Sequence, residues 1–235
     1  MFGIKTRAKN SVSKAKWQLS NYKAHLNQSK NINDYIKNHK TRKLNLGCWP
    51  YVMDSWLNTD INGNNDVVPL DLTKKFPIMD ATFHYIFCEH TIEHFDLYQG
   101  LEILKNCYRI LMPGGKVRFA TPDLNFLINL YNIKKSKIQK NYIHWASTEF
   151  LDNFGLENDT VVINNFVRAW GHQFIYDYKT LKLQLEKVGF ISVTRFKPGV
   201  SPDKNLTNLE MHWKSIGNKE FNNLETFVVE AIKPK

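Results

Sequence analysis

The sequence predicts an α/β fold, a doubly wound and mostly parallel sheet covered on both faces. Three observations carry that expectation. Short apolar runs recur between residues 43 and 121, a helical apolar stripe lies between two of them, and two more apolar runs close the chain. With 43% hydrophobic and 13% aromatic residues in 235, there is enough apolar material for a full core, which excludes a disordered chain.

The elements follow in order. KLNLG (43–47) reads as a buried strand ending in a glycine turn, and WLNTDI (56–61) as a second strand with Asp60 near its carboxyl end. DVVPLDL (66–72) is a third, shortened by Pro69, which cannot donate to a ladder. FHYIFC (83–88) is the fourth. Leu97, Leu101, Leu104, Tyr108 and Leu111 then make an apolar helical stripe, stopped by Pro113-Gly114-Gly115. KVRFAT (116–121) is the fifth strand. Tyr178, Leu181, Leu185 and Val188 form another helix face, with Asp177 as N-cap and Gly189 as C-terminal stop. FISVTRF (190–196) and ETFVVEAI (225–232) are the last two strands. The aromatic, Asn-rich stretch from about 124 to 176 breaks the alternation and reads as an insertion above the sheet.

Charge divides the chain. The net charge is +10, and residues 1–43 hold 11 basic residues against one acid, Asp34, so the remainder is neutral. Residues 1–42 are therefore a basic arm, and 43–235 the folded domain. In the arm, Val12, Ala15, Leu19, Tyr22 and Leu26 form one helical stripe, with Lys14, Lys16 and Lys23 off it. Such a helix can lie on an anionic membrane, pair with a partner protein, or pack on its own body. The neutral body argues against a nucleic-acid groove. No apolar run is long enough to span a membrane, and no secretory signal is expected. Three widely spaced cysteines suit a reducing, cytoplasmic setting, peripheral to a membrane if the arm docks there.

In an open α/β sheet the ligand lies beyond the carboxyl ends of the strands, near the switch in strand order. That selects Gly47-Cys48-Trp49, Asp60, Glu89-His90 and Thr121-Pro122-Asp123. A glycine after the first strand lets backbone approach a ligand, and a carboxylate ending the second can accept hydrogen bonds from ribose hydroxyls.

The ordered set LNLGCWPYVMDSWLNTDI, PLDLTKKFPIMDATFHYIFCEHTIEHF, ILKNCYRILMPGGKVRFATPDL, then Trp170-Gly171-His172 with Tyr176-Asp177 and Lys187-Val188-Gly189-Phe190, resembles the Rossmann-like class I S-adenosylmethionine-dependent methyltransferases. More closely it resembles predicted members associated with cell-surface polysaccharide synthesis. The resemblance covers about residues 43–196 and the final strand. It implies S-adenosylmethionine as cofactor, with Gly47 and Cys48 at its methionine end, Asp60 on the ribose, Asp71 and Leu72 against the adenine, and Glu89 and His90 bordering the methyl group. The family's second glycine is Trp49 here, an indole that must swing out of the pocket or obstruct it.

The implied reaction is O-methylation of a sugar hydroxyl in a glycan or glycolipid precursor. The alternatives are an RNA or protein methyltransferase, or a non-catalytic partner that kept the fold. A sugar hydroxyl is a weak nucleophile and gains from a general base. EHTIEH offers Glu89, His90, Glu93 and His94, with His90 the first choice and Asp123 and His172 its rivals. His90 and His94 are spaced to share a metal, but no third ligand spacing accompanies them, so no metal is expected. The aromatics Phe126, Tyr131, Tyr142, Trp145 and Trp170 can stack on sugar rings or form the core of a lid.

Overall fold

The computed structural model describes residues 14, 16–48, 50–151 and 155–235. Trp49, Val12 and Ala15 lie outside the described residues. Helix α1 (Gln28–Asn38) leads into β1 (Lys43–Leu46), β2 (Leu57–Asp60), β3 (Val68–Pro69) and β4 (Phe83–Glu89). Next come helix α2 (Leu97–Ile110) and β5 (Leu111–Pro122). Three helices fill the expected insertion: α3 (Leu124–Leu130), α4 (Lys137–Leu151) and α5 (Asp159–Arg168). Helix α6 (Tyr178–Val188) and β6 (Ile191–Phe196) precede two short helices, α7 (Trp213–Ile216) and α8 (Lys219–Glu225), and β7 (Thr226–Ile232) ends the fold.

The seven strands form one sheet in the order β3-β2-β1-β4-β5-β7-β6. Pairings from β3 to β5 are parallel, and β7 runs antiparallel to both its neighbours. This is the doubly wound, mostly parallel sheet that the sequence predicts. The order reverses between β1 and β4, so the ligand crevice belongs beyond Leu46 and Glu89.

Alternation along the strands assigns the faces. Leu44, Leu46, Ile86, Cys88, Val117, Phe119, Phe227 and Val229 share a core with α1, α2 and α6. On the other face, Phe87, Ala120 and Val228 pack beneath Met53, Trp56 and Leu206. Loops therefore cover that face, at 51–56 and 197–210. Arg118 also points there and is fully buried; its Nε donates to Glu210 at 2.6 Å and its Nη1 to Glu230 at 2.5 Å.

Two apolar stripes fall differently from expectation. On α2 the buried residues are Gly100, Ile103, Leu104, Cys107 and Ile110, while Leu97 is exposed. The face is rotated because the Tyr176 ring seats against Gly100, where any Cβ would strike its hydroxyl. The helix also ends at Ile110, and Pro113-Gly114-Gly115 lies within β5. In the arm, residues 16–26 are helical, yet Leu19, Tyr22 and Leu26 are more than half exposed. Ala24 makes the contact instead, against Gly63, and Asn21 accepts from the Gly63 N–H at 2.7 Å.

Helix α6 matches its reading: the Asp177 side chain accepts from Thr180 N–H, and Gly189 closes the helix at φ 115°. All three cysteines are free and buried. Among the described residues no helix is long and apolar enough to cross a membrane.

Candidate functional site

A cavity of about 410 Å³ opens beyond the carboxyl ends of β1 and β4. Gly47, Cys48 and Glu89 form one wall, the insertion helices another, and residues 209–216 a third. Its polar lining includes His90, Glu93, His94, His172, His212 and Glu225, and its apolar lining includes Trp145, Phe150, Phe166 and Trp170.

The chain reaches this geometry through a strained turn. His90, directly after β4, has φ 42°, a left-handed conformation that costs a non-glycine residue about 1–3 kcal/mol. Its N–H donates to Ala120 on β5 at 2.9 Å, and Thr91 Oγ donates to the Glu89 carbonyl at 2.8 Å. The turn runs into a single 3-10 turn, Ile92–His94, and swings both histidines over the strand ends. Gly47 is required beside it: its φ is +63°, and a Cβ there would overlap the Thr91 side chain.

The insertion is stitched onto this turn by backbone. Gln173 and Phe174 N–H both donate to the Glu93 carbonyl, at 2.8 and 3.1 Å, and Gln173 Nε2 donates to the His94 carbonyl at 2.8 Å. These bonds bring His172, remote in sequence, to 5.1 Å from the His94 ring. The Nδ1 of His172 lies 2.6 Å from the Phe166 carbonyl, which fixes a proton on that nitrogen and leaves Nε2 with its lone pair.

His212 completes the group. Its ring stacks on His90 with centroids 3.7 Å apart, and its Nε2 lies 3.9 Å from Glu225 Oε1. Glu89 holds this loop by accepting from the N–H groups of Met211 and His212 at 2.9 to 3.0 Å. Glu225 accepts from the Tyr142 hydroxyl at 2.6 Å. Glu93 accepts from Thr121 at 3.0 Å through Oε2, and its Oε1 lies 3.6 Å from His90 Nδ1.

Burial dominates the electrostatics. It pushes Glu93 up to about 8, and Glu225 and Glu89 up to about 7. It also pulls His212 down to about 4 and His90 well below the ordinary imidazole value, helped by the other histidines. His94 and His172 are lowered as well, again chiefly by burial. The imidazoles are therefore neutral at physiological pH, each with a lone pair to offer.

The structure thus brings Gly47, Cys48, Glu89, His90 and His172 to one cavity. Asp123 does not join them. It caps α3 through Asn125 N–H and pairs with Arg195 at 2.7 Å, so its expected role on the acceptor gives way to a structural one. Asp60, Asp71 and Leu72 lie outside the cavity lining. Asp60 ends β2 half-buried, and its charge raises the Cys48 thiol further after burial. Asp71 accepts from Thr73 and pairs with Lys74, and Leu72 is in the main core. Tyr142 and Trp145 are packed into a second core with Phe126 and Phe221, whereas Tyr131 is exposed. His212 and Glu225 went unread in the sequence, because no local spacing marks either one.

Residues 49–119, under a third of the chain, match a methyltransferase domain. No curated protein matches the chain. Among solved structures it is similar to a SAM-dependent methyltransferase from Archaeoglobus fulgidus, at 17% identity, TM-score 0.49, and coverage of 95% of this chain and 99% of that one. A methyltransferase from Mesorhizobium loti is 14% identical, with TM-score 0.48 and coverage of 82% and 90%. The Haemonchus contortus phosphoethanolamine N-methyltransferase 2, in complex with S-adenosyl-L-methionine, is 14% identical with TM-score 0.43. The match covers 88% of this chain but about half of that one.

Proposed function

We propose that the chain is an S-adenosylmethionine-dependent methyltransferase that O-methylates a sugar hydroxyl of a glycan or glycolipid precursor. The observation that carries the reading is the placement of the cavity: it lies at the β1/β4 switch point and joins the Gly47–Glu89 wall to a cluster of neutral imidazoles. The residues fit the cofactor. The cavity volume is within the range of small-molecule sites, and the Glu89 carboxylate that ends β4 lines it, which suits a ligand that carries two positive centres. S-adenosylmethionine supplies an electrophilic methyl group. Asp60 would take the ribose hydroxyls, and Gly47 and Cys48 the methionine end.

The protein's own share of the work is to orient an acceptor, exclude water and receive a proton. The aromatic wall of Trp145, Phe150, Phe166 and Trp170 supports an acceptor with flat, apolar ring faces, as a sugar has. The stacked pair His90 and His212 takes the hydroxyl proton. His212 is the more open of the two, and Glu225 behind it steadies the charge that forms.

Asparagine at His90 or His212 keeps a hydrogen bond without the basicity. At least one of these variants is expected to lose about 10²–10⁴-fold in turnover, the usual worth of a general base, with S-adenosylhomocysteine affinity unchanged by calorimetry. No detectable S-adenosylhomocysteine binding at millimolar ligand would overturn the whole reading. Near-full turnover in both variants would remove the imidazole base.

The arm supports a second element. Trp17, Leu19, Tyr22 and Leu26 are more than half exposed beside exposed Lys14, Lys16 and Lys23. We infer that this helix lies on an anionic membrane, where the proposed lipid-linked acceptor would be found. Replacing Leu19, Tyr22 and Leu26 together with Gln is expected to abolish co-sedimentation with anionic vesicles. Equal binding by both forms would refute it.

A further inference from the structure

We infer that Glu93, His94 and His172 form a binding site for a divalent first-row transition-metal ion with zinc-like ligand preference. The inference rests on the methyltransferase reading only for its role, since the site adjoins the proposed acceptor pocket. The three residues offer one ligand atom each, and these atoms lie within 4.8 Å of one another.

The carboxylate gives the independent observation. Glu93 is fully buried, and its Oε1 has no hydrogen-bond partner although Oε2 is satisfied by Thr121. A buried carboxylate oxygen without a partner is costly unless something outside the protein meets it. The histidine geometry agrees. His172 Nδ1 is held by the Phe166 carbonyl, so Nε2 is the coordinating nitrogen, and this backbone anchor is the support that metal-bound imidazoles ordinarily have.

Two imidazoles and one carboxylate on an open cavity are the donors of a catalytic zinc-type centre, with a fourth position left for water or an acceptor oxygen. Magnesium and calcium prefer oxygen donors, which disfavours both. A second group, His90, His212 and Glu225, also has its ligand atoms together. That group lacks an orphaned buried carboxylate oxygen of the kind Glu93 carries, and His90 Nε2 lies 2.8 Å from Thr226 Oγ1. The sequence spacing paired His90 with His94, but the fold separates them: His94 joins Glu93 and, from the insertion, His172, while His90 falls in the other group.

The test uses the full chain, loaded with Zn²⁺ and dialysed against metal-free buffer, and in parallel titrated with Co²⁺. About one equivalent of retained zinc and a visible Co²⁺ absorption band of a tetrahedral or five-coordinate site are expected. His172→Ala and Glu93→Gln should each weaken metal affinity by about tenfold or more and remove the band. Circular dichroism and S-adenosylhomocysteine calorimetry on the same samples report folding and the cofactor site. Should Glu93→Gln not fold, His172→Ala decides alone. Wild-type protein that retains no metal and gives no band would overturn the inference, as would retention unchanged in a folded His172→Ala. Metal binding with no S-adenosylhomocysteine binding would leave this site standing and sink the methyltransferase reading instead.

Discussion

Arg118→Met should unseat the loop that carries His212, at a cost set by two stranded carboxylates. Arg118 is buried at the centre of β5, with Glu210 and Glu230 both under a tenth exposed. Its Nη1 also donates to the Val200 carbonyl at 3.0 Å, and Glu210 Oε2 accepts from Gly199 N–H at 2.6 Å. One guanidinium thus ties the sheet to both ends of the loop that leads to Glu210, Met211 and His212. Removing one partner of a buried ionic group while leaving the others typically costs about 3–5 kcal/mol. For a chain of this size each kcal/mol lowers the melting temperature by roughly 2–4 °C, so a fall of about 6–20 °C is expected. Chemical denaturation supplies the free energy, and S-adenosylhomocysteine calorimetry supplies the effect on the Glu89 wall. The triple variant Arg118→Met/Glu210→Gln/Glu230→Gln removes the stranded charges and should recover much of the loss. A loss below about 1 kcal/mol in Arg118→Met, which is the range of an exposed pair, would refute the reasoning.

Three further outcomes follow from single contacts. Gly47→Ala should lower stability by about 2–4 kcal/mol, from left-handed strain plus overlap with Thr91; Thr91→Gly in the same chain should restore part of it in a urea melt. Asp60→Ala should weaken S-adenosylhomocysteine binding by about 1.5–3 kcal/mol, the worth of charge-assisted hydrogen bonds, and unchanged affinity would remove Asp60 from the site. Asp203 is held down at about 2, where hydrogen bonds from Lys116 and Asn205 outweigh its burial. Its folded value lies below the unfolded one, so its stabilisation is complete above about pH 4 and fades as pH falls towards 2. Asp203→Asn should flatten the acid limb of stability by about 1–2 kcal/mol over that window, and an unaltered limb would show that the pair contributes nothing.

What was legible in the sequence was whatever local chemistry decides. Asp177 and Gly189 bracket α6 because a side-chain acceptor and a left-handed residue are needed at those two ends of any helix. The strands were legible for a similar reason, since buried parallel strands read as unbroken apolar runs. The α2 face was misplaced because a tertiary neighbour, Tyr176, selected Gly100 over Leu97 for the interior. Asp123 was misread because Arg195, far along the chain, claims it. His212 and Glu225 depend on long-range closure: the Arg118 network fixes the loop, Glu89 grips its end, and only then does an imidazole stack on His90.

The same closure explains why the cluster is better read as functional than as structural. Glu93, Glu225 and Glu89 all have carboxyls raised by burial, so at neutral pH and above each contributes less stability in the folded chain than an unburied one would. The histidines are held neutral by the same burial, and His90 adds backbone strain. None of this favours folding, and apolar residues of similar volume would serve the core better. Elsewhere the α6 ends carry their caps, and the departures that do occur, such as the buried Arg118–Glu210–Glu230 group and left-handed Ser55, Ala81, Ser192 and Asn208, are scattered over the fold. What sets the cavity at the strand-order switch apart is that raised carboxyls and neutral imidazoles gather there in number. Groups that each cost stability and yet crowd one cavity beyond the strand ends are accounted for together by selection for function there.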